Sequence, residues 1–416
     1  MQISTAESLK RIVIDAESMG RLAECENELV RIDERISRHP LRPAISHQLL
    51  RLESIASAII DGSPTSFSDL MRFEAVTASS PKVLRTPSSL YRQAQSLGLD
   101  SSEGTVVAYL YQNAIMWISE NIPGRESVPP DLFQEIFSRF DANEIARIEH
   151  ARREQSCATK IASMEDFAFL SEARMQKKLD DYISFVNSNS FSPSAQAELS
   201  HAILQSVGLG QRKEDGYERA LSHVILYRRG VLTKSVAPLA VGPLIDIARH
   251  AESIYQNMSK LTSVESEQRA EYDFADTAFC TSASAKTMHV VMIGLANLRK
   301  EWLSALGLSR GSNKAAVRLV DLFLEHGCLT VDTAASAMEK SFSTASAAMH
   351  ELVSAGLARE AGHANKRHLY RADAVVDFLD SLLSKLSSNV TVTRDQALAA
   401  LDIHPPCKSD DTIADG

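Results

Sequence analysis

The chain has 416 residues, 44% of them hydrophobic and 23% charged, and a net charge of -9. This is the composition of an ordinary soluble globular protein, long enough for two or three domains with sizeable cores. The acidic balance argues against a broad basic surface for holding nucleic acid, although one small DNA-contacting module remains compatible with it.

Five dispersed cysteines (Cys25, Cys157, Cys280, Cys328, Cys407) include no Cys-x-x-Cys pair. They read as reduced thiols in a cytoplasm, not as a disulfide framework or a zinc site. The opening "MQISTAESLKR" lacks the apolar centre of a signal peptide, and no apolar run approaches about 18 residues. Neither secretion nor a membrane span is expected.

Helical periodicity dominates in chain order. From Ser4 to Arg38 apolar residues recur every three or four positions, predicting one or two amphipathic helices. This segment either packs on its own domain or serves as an oligomerisation strand of a helix bundle. "PAISHQLLRLESIASAII" predicts a second helix, stopped by Asp61-Gly62 and Pro64, and "SPTSFSDLMRFEA" restarts one with Ser66 or Ser68 as cap. "PKVLRTPSSLYRQAQSLGLDSSEG" is a punctuated connection with one short helix, and "TVVAYLYQNAIMWISENI" is an apolar core helix. "PPDLFQEIFSRF" starts on prolines that suit a first turn. "ATKIASMEDFAFL" has the alternation of a short hairpin.

Two further helices follow, the second ("SPSAQAELSHAILQSV") capped by Ser192 or Ser194. A loop comes next, with Gly208, Gly210 and Gly216 around Arg212-Lys213-Glu214-Asp215, and then the helix "YERALSHVILYRRGVL". "VAPLAVGPLIDIARHAESIYQNMSKL" and "SAKTMHVVMIGLANLRKEWLSAL" continue the helical series, and "TSASAKT" (Thr281 to Thr287) reads as a cap and turn. A polar stretch, Gly307 to Lys314, marks a boundary. Beyond it come three short helices and two extended pieces around a polar turn, the layout of a winged helix-turn-helix. Another helix, "AVVDFLDSLLSKL", precedes a polar tail expected to be flexible from about Ser387.

The segment from Ser200 to His223 resembles the core of Fic-domain (fido) proteins. "SHAILQSV" matches the helix of the "AHAxFExI" kind that precedes their motif, and "RALSHVILYRRGVL" matches the helix that follows it. "RLESIASAIIDGSPTS" looks like the family's "SSxIEGxxxS" segment, and "MEDFAFL" sits where the family has its substrate-aligning flap. "LTVDTAASAMEKSFSTASAAMHELVSAGLAREAG" looks like the winged helix that ends many bacterial members. The resemblance runs from about residue 40 to residue 385. It implies a mainly α fold: a Fic-like helical domain followed by a winged helix-turn-helix domain. The corresponding domains are an N-terminal extension over 1–39, the Fic-like domain over 40–308, the winged helix over 312–385 and a tail over 387–416.

The departures from the motif are as informative as the match. Placing the motif's last arginine on Arg219 puts its catalytic histidine on Gly208, its proline on Leu209 and its phenylalanine on Gly210. The metal-binding acid falls on Arg212. The Gly-Asn-Gly-Arg run falls on Lys213, Glu214, Asp215 and Gly216, and the second glycine on Glu218. In the family the histidine is the general base that deprotonates a target hydroxyl, and loss of such a group costs about 10²–10⁴-fold. An arginine where the acid held Mg²⁺ repels the ion. Glu214, Asp215 and Glu218 put negative charge where the resemblance places the nucleotide's phosphates.

The expectation is a protein that has lost adenylyl transfer, with no catalytic residue, no metal and no cofactor. His201 and His223 read as core or surface imidazoles. The altered loop (Gly208, Gly210, Arg212, Lys213, Gly216, Arg219) keeps the means to bind an anion. Ser57, Asp61 and Gly62 match the family's inhibitory helix, so the resemblance implies an internal Asp61–Arg219 ion pair; the plainer alternative is an Asp-Gly helix-ending turn.

In the winged helix, Ser343 or Thr344 lies near the start of a recognition helix that carries no Lys or Arg. Lys366 and Arg367 supply charge on the wing. These four are the candidate DNA contacts. The output is therefore regulation or binding through the winged helix, on DNA or a protein partner, in the cytoplasm, with homodimerisation open and no membrane. The alternative is a divergent Fic-type nucleotidyl- or phosphate-group transferase on protein hydroxyls, with ATP and Mg²⁺. A third is a partner subunit of an active Fic protein.

Overall fold

The computed structural model describes residues 12–78, 87–99, 101–140, 172–206, 217–262, 270–307, 314–364 and 367–387, with residues 396 and 401. The architecture is mainly α-helical, with two small sheets among the described residues. The hairpin expected over "ATKIASMEDFAFL", the loop 207–216, Lys366 and nearly all of the tail lie outside the described residues.

The N-terminal segment begins differently from its helical periodicity. β1 (Ile12–Val13) pairs in parallel with β2 (Ala270–Glu271). Helix α1 (Ala16–Arg38) starts only after Asp15, whose carboxylate accepts the Ser18 N–H at 2.8 Å. It lies along α12 (Ala275–Ala305). Buried Asp33 of α1 accepts the backbone N–H and hydroxyl of both Thr233 and Ser235. With the Lys234 N–H at 3.3 Å, one buried carboxylate thus satisfies five donors of a turn two hundred residues away.

Helix α2 (Arg42–Ile60) is the centre of the molecule. Every residue from Gln48 to Ala58 is buried, so the helix is covered on all sides. Around it pack α5 (Ser102–Asn121), α10 (Val241–Ile245), α12 and α13 (Lys314–His326). Helix α3 (Phe67–Ala78) is capped by Ser66, which accepts the Asp69 N–H at 3.1 Å. Helices α4 (Pro87–Ser96) and α6 (Pro130–Phe140) flank α5.

Helices α7 (Glu172–Asn187), α8 (Pro193–Ser206) and α9 (Tyr217–Arg228) form the next group, with α8 against both neighbours. The cap of α8 comes from elsewhere in the chain. Ser192 holds the cap position, but the Ser194 N–H goes to Glu26 of α1 at 2.7 Å. A carboxylate at a helix N-terminus serves the same free donors and the helix dipole.

After α10 the chain breaks at Asp246 and resumes as α11 (Ile247–Thr262). The expected turn at Thr281 to Thr287 is instead the interior of α12. Its hydroxyls bond back to carbonyls one turn earlier, Thr281 to Thr277 and Thr287 to Ala283, which lets these residues stay helical while buried. Small residues there admit α10 closely: a Cβ on Gly242 would meet the Cα of Cys280 at 2.5 Å.

The C-terminal part comprises α13, β3 (Cys328–Thr330), α14 (Val331–Met338), α15 (Phe342–Ser354), β4 (Arg359–Ala364), β5 (Arg367–Arg371) and α16 (Asp373–Ser387). The sheet is antiparallel in the order β3-β5-β4, with a register shift between Glu360 and His363. Thr330 and Thr333 form a reciprocal cap on α14, and Ser341 caps α15 by accepting the Thr344 N–H.

This part is fastened to the body by Arg51 of α2, whose side chain is completely buried. It donates to the carbonyls of Glu325 at 2.6 Å and His326 at 3.1 Å, and pairs with Glu74 at 2.5 Å. Gln48 donates to the Leu324 carbonyl at 2.6 Å. The free carbonyls that end α13 are thus satisfied by side chains of the central helix. Helix α16 returns against α3, α10 and α12.

Candidate functional site

Helices α2 and α9 meet along a polar seam at four-residue spacing. Glu53, Ser57 and Asp61 lie on one side and Arg219, His223 and Tyr227 on the other; residues four apart share a helix face. At the top, Arg219 Nη2 donates to Asp61 Oδ1 at 2.5 Å and to the Ser57 carbonyl at 3.3 Å, while Nε donates to the Ser57 hydroxyl at 3.3 Å. The guanidinium lies 5.8 Å over the ring of Tyr111 on α5. Gly62 follows with φ +79°, a conformation that suits glycine at a helix end.

Burial and neighbouring charges act on this group in opposite directions. Burial opposes the charge of Arg219, but Asp61 and Tyr111 outweigh it and raise the guanidinium above its usual pKa. Burial likewise pushes the Tyr111 phenol well up. One turn along the seam, Glu53 and His223 are fully buried with 3.3 Å between Oε1 and Nε2, and Glu53 also accepts the Ala240 N–H at 2.7 Å. His223 is therefore a core imidazole with a carboxylate partner. Tyr227 donates to the Ser235 carbonyl at 2.6 Å.

Beside Arg219 lies a cavity of about 70 Å³, lined among others by Glu198 and His201 of α8, His250 of α11 and Cys280 of α12. His250 Nδ1 is 2.6 Å from Asp276 Oδ2, and Cys280 Sγ is 3.8 Å from the same oxygen. The His201 and His250 rings are 6.3 Å apart. Burial raises the carboxyl of Glu198, opposed by the two histidines.

The sequence reading overlooks Glu198, His250, Asp276 and Cys280. The available signals were local spacings, Glu198 to His201 at three residues and Asp276 to Cys280 at four. The meeting of three helices brings them together.

Of the altered loop's six candidate residues, only Arg219 is described; Gly208, Gly210, Arg212, Lys213 and Gly216 lie outside the described residues. Ser57, Asp61 and Arg219 are brought together as one cluster. The candidate DNA contacts are elsewhere, at the C-terminal part. Ser343 and Thr344 are exposed in the first turn of α15, with both hydroxyls 2.9 Å from that of Ser341. Arg367 Nε is 3.2 Å from Asp332, and Phe342, next to Ser343 in the chain, is 57% exposed. Among the described residues no helix is long and apolar enough to cross a membrane.

No protein-family model matches the chain, and no curated protein matches it either.

Proposed function

We propose that the chain is a Fic-scaffold protein without adenylyl transfer that acts as a regulatory or binding protein through its C-terminal winged helix. The observation that carries this reading is the engagement of Arg219. At the position the resemblance assigns to a phosphate-binding arginine, the guanidinium is held by Asp61 and Ser57 beneath a largely buried surface. A nucleotide phosphate would have to displace a carboxylate at 2.5 Å. The residues at the motif's catalytic and metal positions, Gly208 and Arg212, supply neither a proton acceptor nor a cation ligand.

The C-terminal surface favours a protein partner over DNA. Helix α15 has no Lys or Arg, Arg367 is paired with Asp332, and Phe342 stands exposed at the helix start. Few free cations mean little counterion release and weak non-specific DNA binding.

Two measurements test the reading. Incubation with α-labelled ATP and Mg²⁺ or Mn²⁺ should label neither this chain nor lysate proteins; labelling that needs this chain would support the transferase alternative. DNA mobility shifts should be weak and nearly independent of salt. A shift that is tight at low salt and lost in Lys366→Ala with Arg367→Ala would make DNA the partner.

A further inference from the structure

We propose that His250, Asp276 and Cys280 form a binding site for a divalent metal, with zinc the best chemical fit and Glu198 as fourth ligand. The three donor atoms lie within 4.8 Å of one another. Asp276 and Cys280 project from one face of α12 one turn apart, and His250 comes from α11. Two packed helices therefore fix all three positions. Imidazole, carboxylate and thiolate together are a donor set that suits zinc and disfavours magnesium or calcium, which take oxygen.

Two further observations support this group. The first is the cavity, which His250, Cys280 and Glu198 all line. It leaves room beside the three donors for an ion and an additional ligand. The second is Glu198 itself: its Oε1 is buried and has no hydrogen-bond partner among the described residues. An unpartnered buried carboxylate oxygen is costly, and a cation in the adjoining cavity would satisfy it. By contrast Glu360, His363 and His368 on the β4–β5 hairpin are exposed, and His368 already contacts Glu360 at 2.7 Å.

The proton balance is explicit. The His250–Asp276 contact needs a proton between the two atoms, and the Cys280 thiol carries another. The ion replaces both: the Nδ1 proton passes to Nε2 as the ring changes tautomer, the thiol proton leaves, and binding releases one proton to solvent. The site then holds a cation bound by one imidazole, two carboxylates and one thiolate. None of its residues is at the sequence position, Arg212, to which the resemblance assigns a nucleotide's magnesium.

The test is a Co²⁺ titration of the full chain carrying Cys25→Ser, Cys157→Ser, Cys407→Ser and Glu360→Ala. The expected result is one equivalent bound with a thiolate-to-cobalt charge-transfer band, which Zn²⁺ abolishes by displacement. Cys280→Ser should remove the band. His250→Ala and Asp276→Asn should each weaken binding by at least about 100-fold, and Glu198→Gln by about 10-fold or more, on the scale of ligand-shell changes. Absence of the band in the parent chain, or its survival in Cys280→Ser, would overturn the proposal. Circular dichroism checks the fold of each variant, and the parent titration decides the matter even if one variant does not fold.

Discussion

Arg219 is a cation that gains its stability from its neighbours and not from water. Its side chain is 14% exposed and that of Asp61 10%, so removing one partner leaves the other poorly solvated. Asp61→Ala should destabilise the protein by about 2–4 kcal/mol, near the range for breaking a buried pair, measured by urea unfolding. The same variant should transfer no label from ATP. On the proposed reading, freeing the arginine restores no base, because the resemblance puts the motif's histidine position on Gly208. Asp61 and Arg219 were visible as a pair only through the family resemblance. Their separation of 158 residues leaves no local pattern to read.

At the scale of elements, the joint between α2 and α13 shows how a helix end is used. The last carbonyls of α13 lack intrahelical partners and are buried or half-buried, which favours side-chain donors over water. Arg51 and Gln48 do so from the central helix. Arg51→Met keeps the length of the side chain but removes those donors and leaves Glu74 without its cation. The expected cost is about 3–5 kcal/mol, read from a shift in the urea midpoint. Close helix approach is the second device. A Cβ on Gly294 of α12 would meet the Phe378 ring of α16 at 2.2 Å, so the ring packs on the bare backbone of the glycine and would have to shift for any larger residue. Periodicity in the sequence reveals helices but not which ends they cap, so nothing local marks Arg51 for this task.

For the whole molecule, the C-terminal part and the helical body share buried contacts through Arg51, Gln48 and α16. Calorimetry should therefore show a single unfolding transition over the described fold, with no separate early melting of the part after Lys314. Acid sensitivity belongs to the same joint. Burial, reinforced by Arg51 and Arg318, pulls His326 down to about 4, and burial with Arg51 holds His47 well below its usual value. Unfolded histidine titrates near about 6.5, so between about 6.5 and 4 the unfolded chain carries protons that the native state does not. Stability is full above that window and falls as pH drops through it. Urea midpoints at successive pH values from about 7 to 5 should decline, and His326→Gln should flatten the decline.

The sequence by itself determined the helical class and the succession of most helices. These are local properties, carried by periodicity, caps and residue identity at fixed spacing. Local spacing also misled: the small hydroxyl run at Thr281 looked like a turn because serine and threonine favour caps, and burial against α10 kept it helical. Only the tertiary structure decided that Asp61 faces Arg219, that Glu53 sits on His223, and that His250 meets Asp276 and Cys280 beside Glu198. Each of those contacts joins residues from different helices, and packing, not spacing along the chain, sets the distance between them.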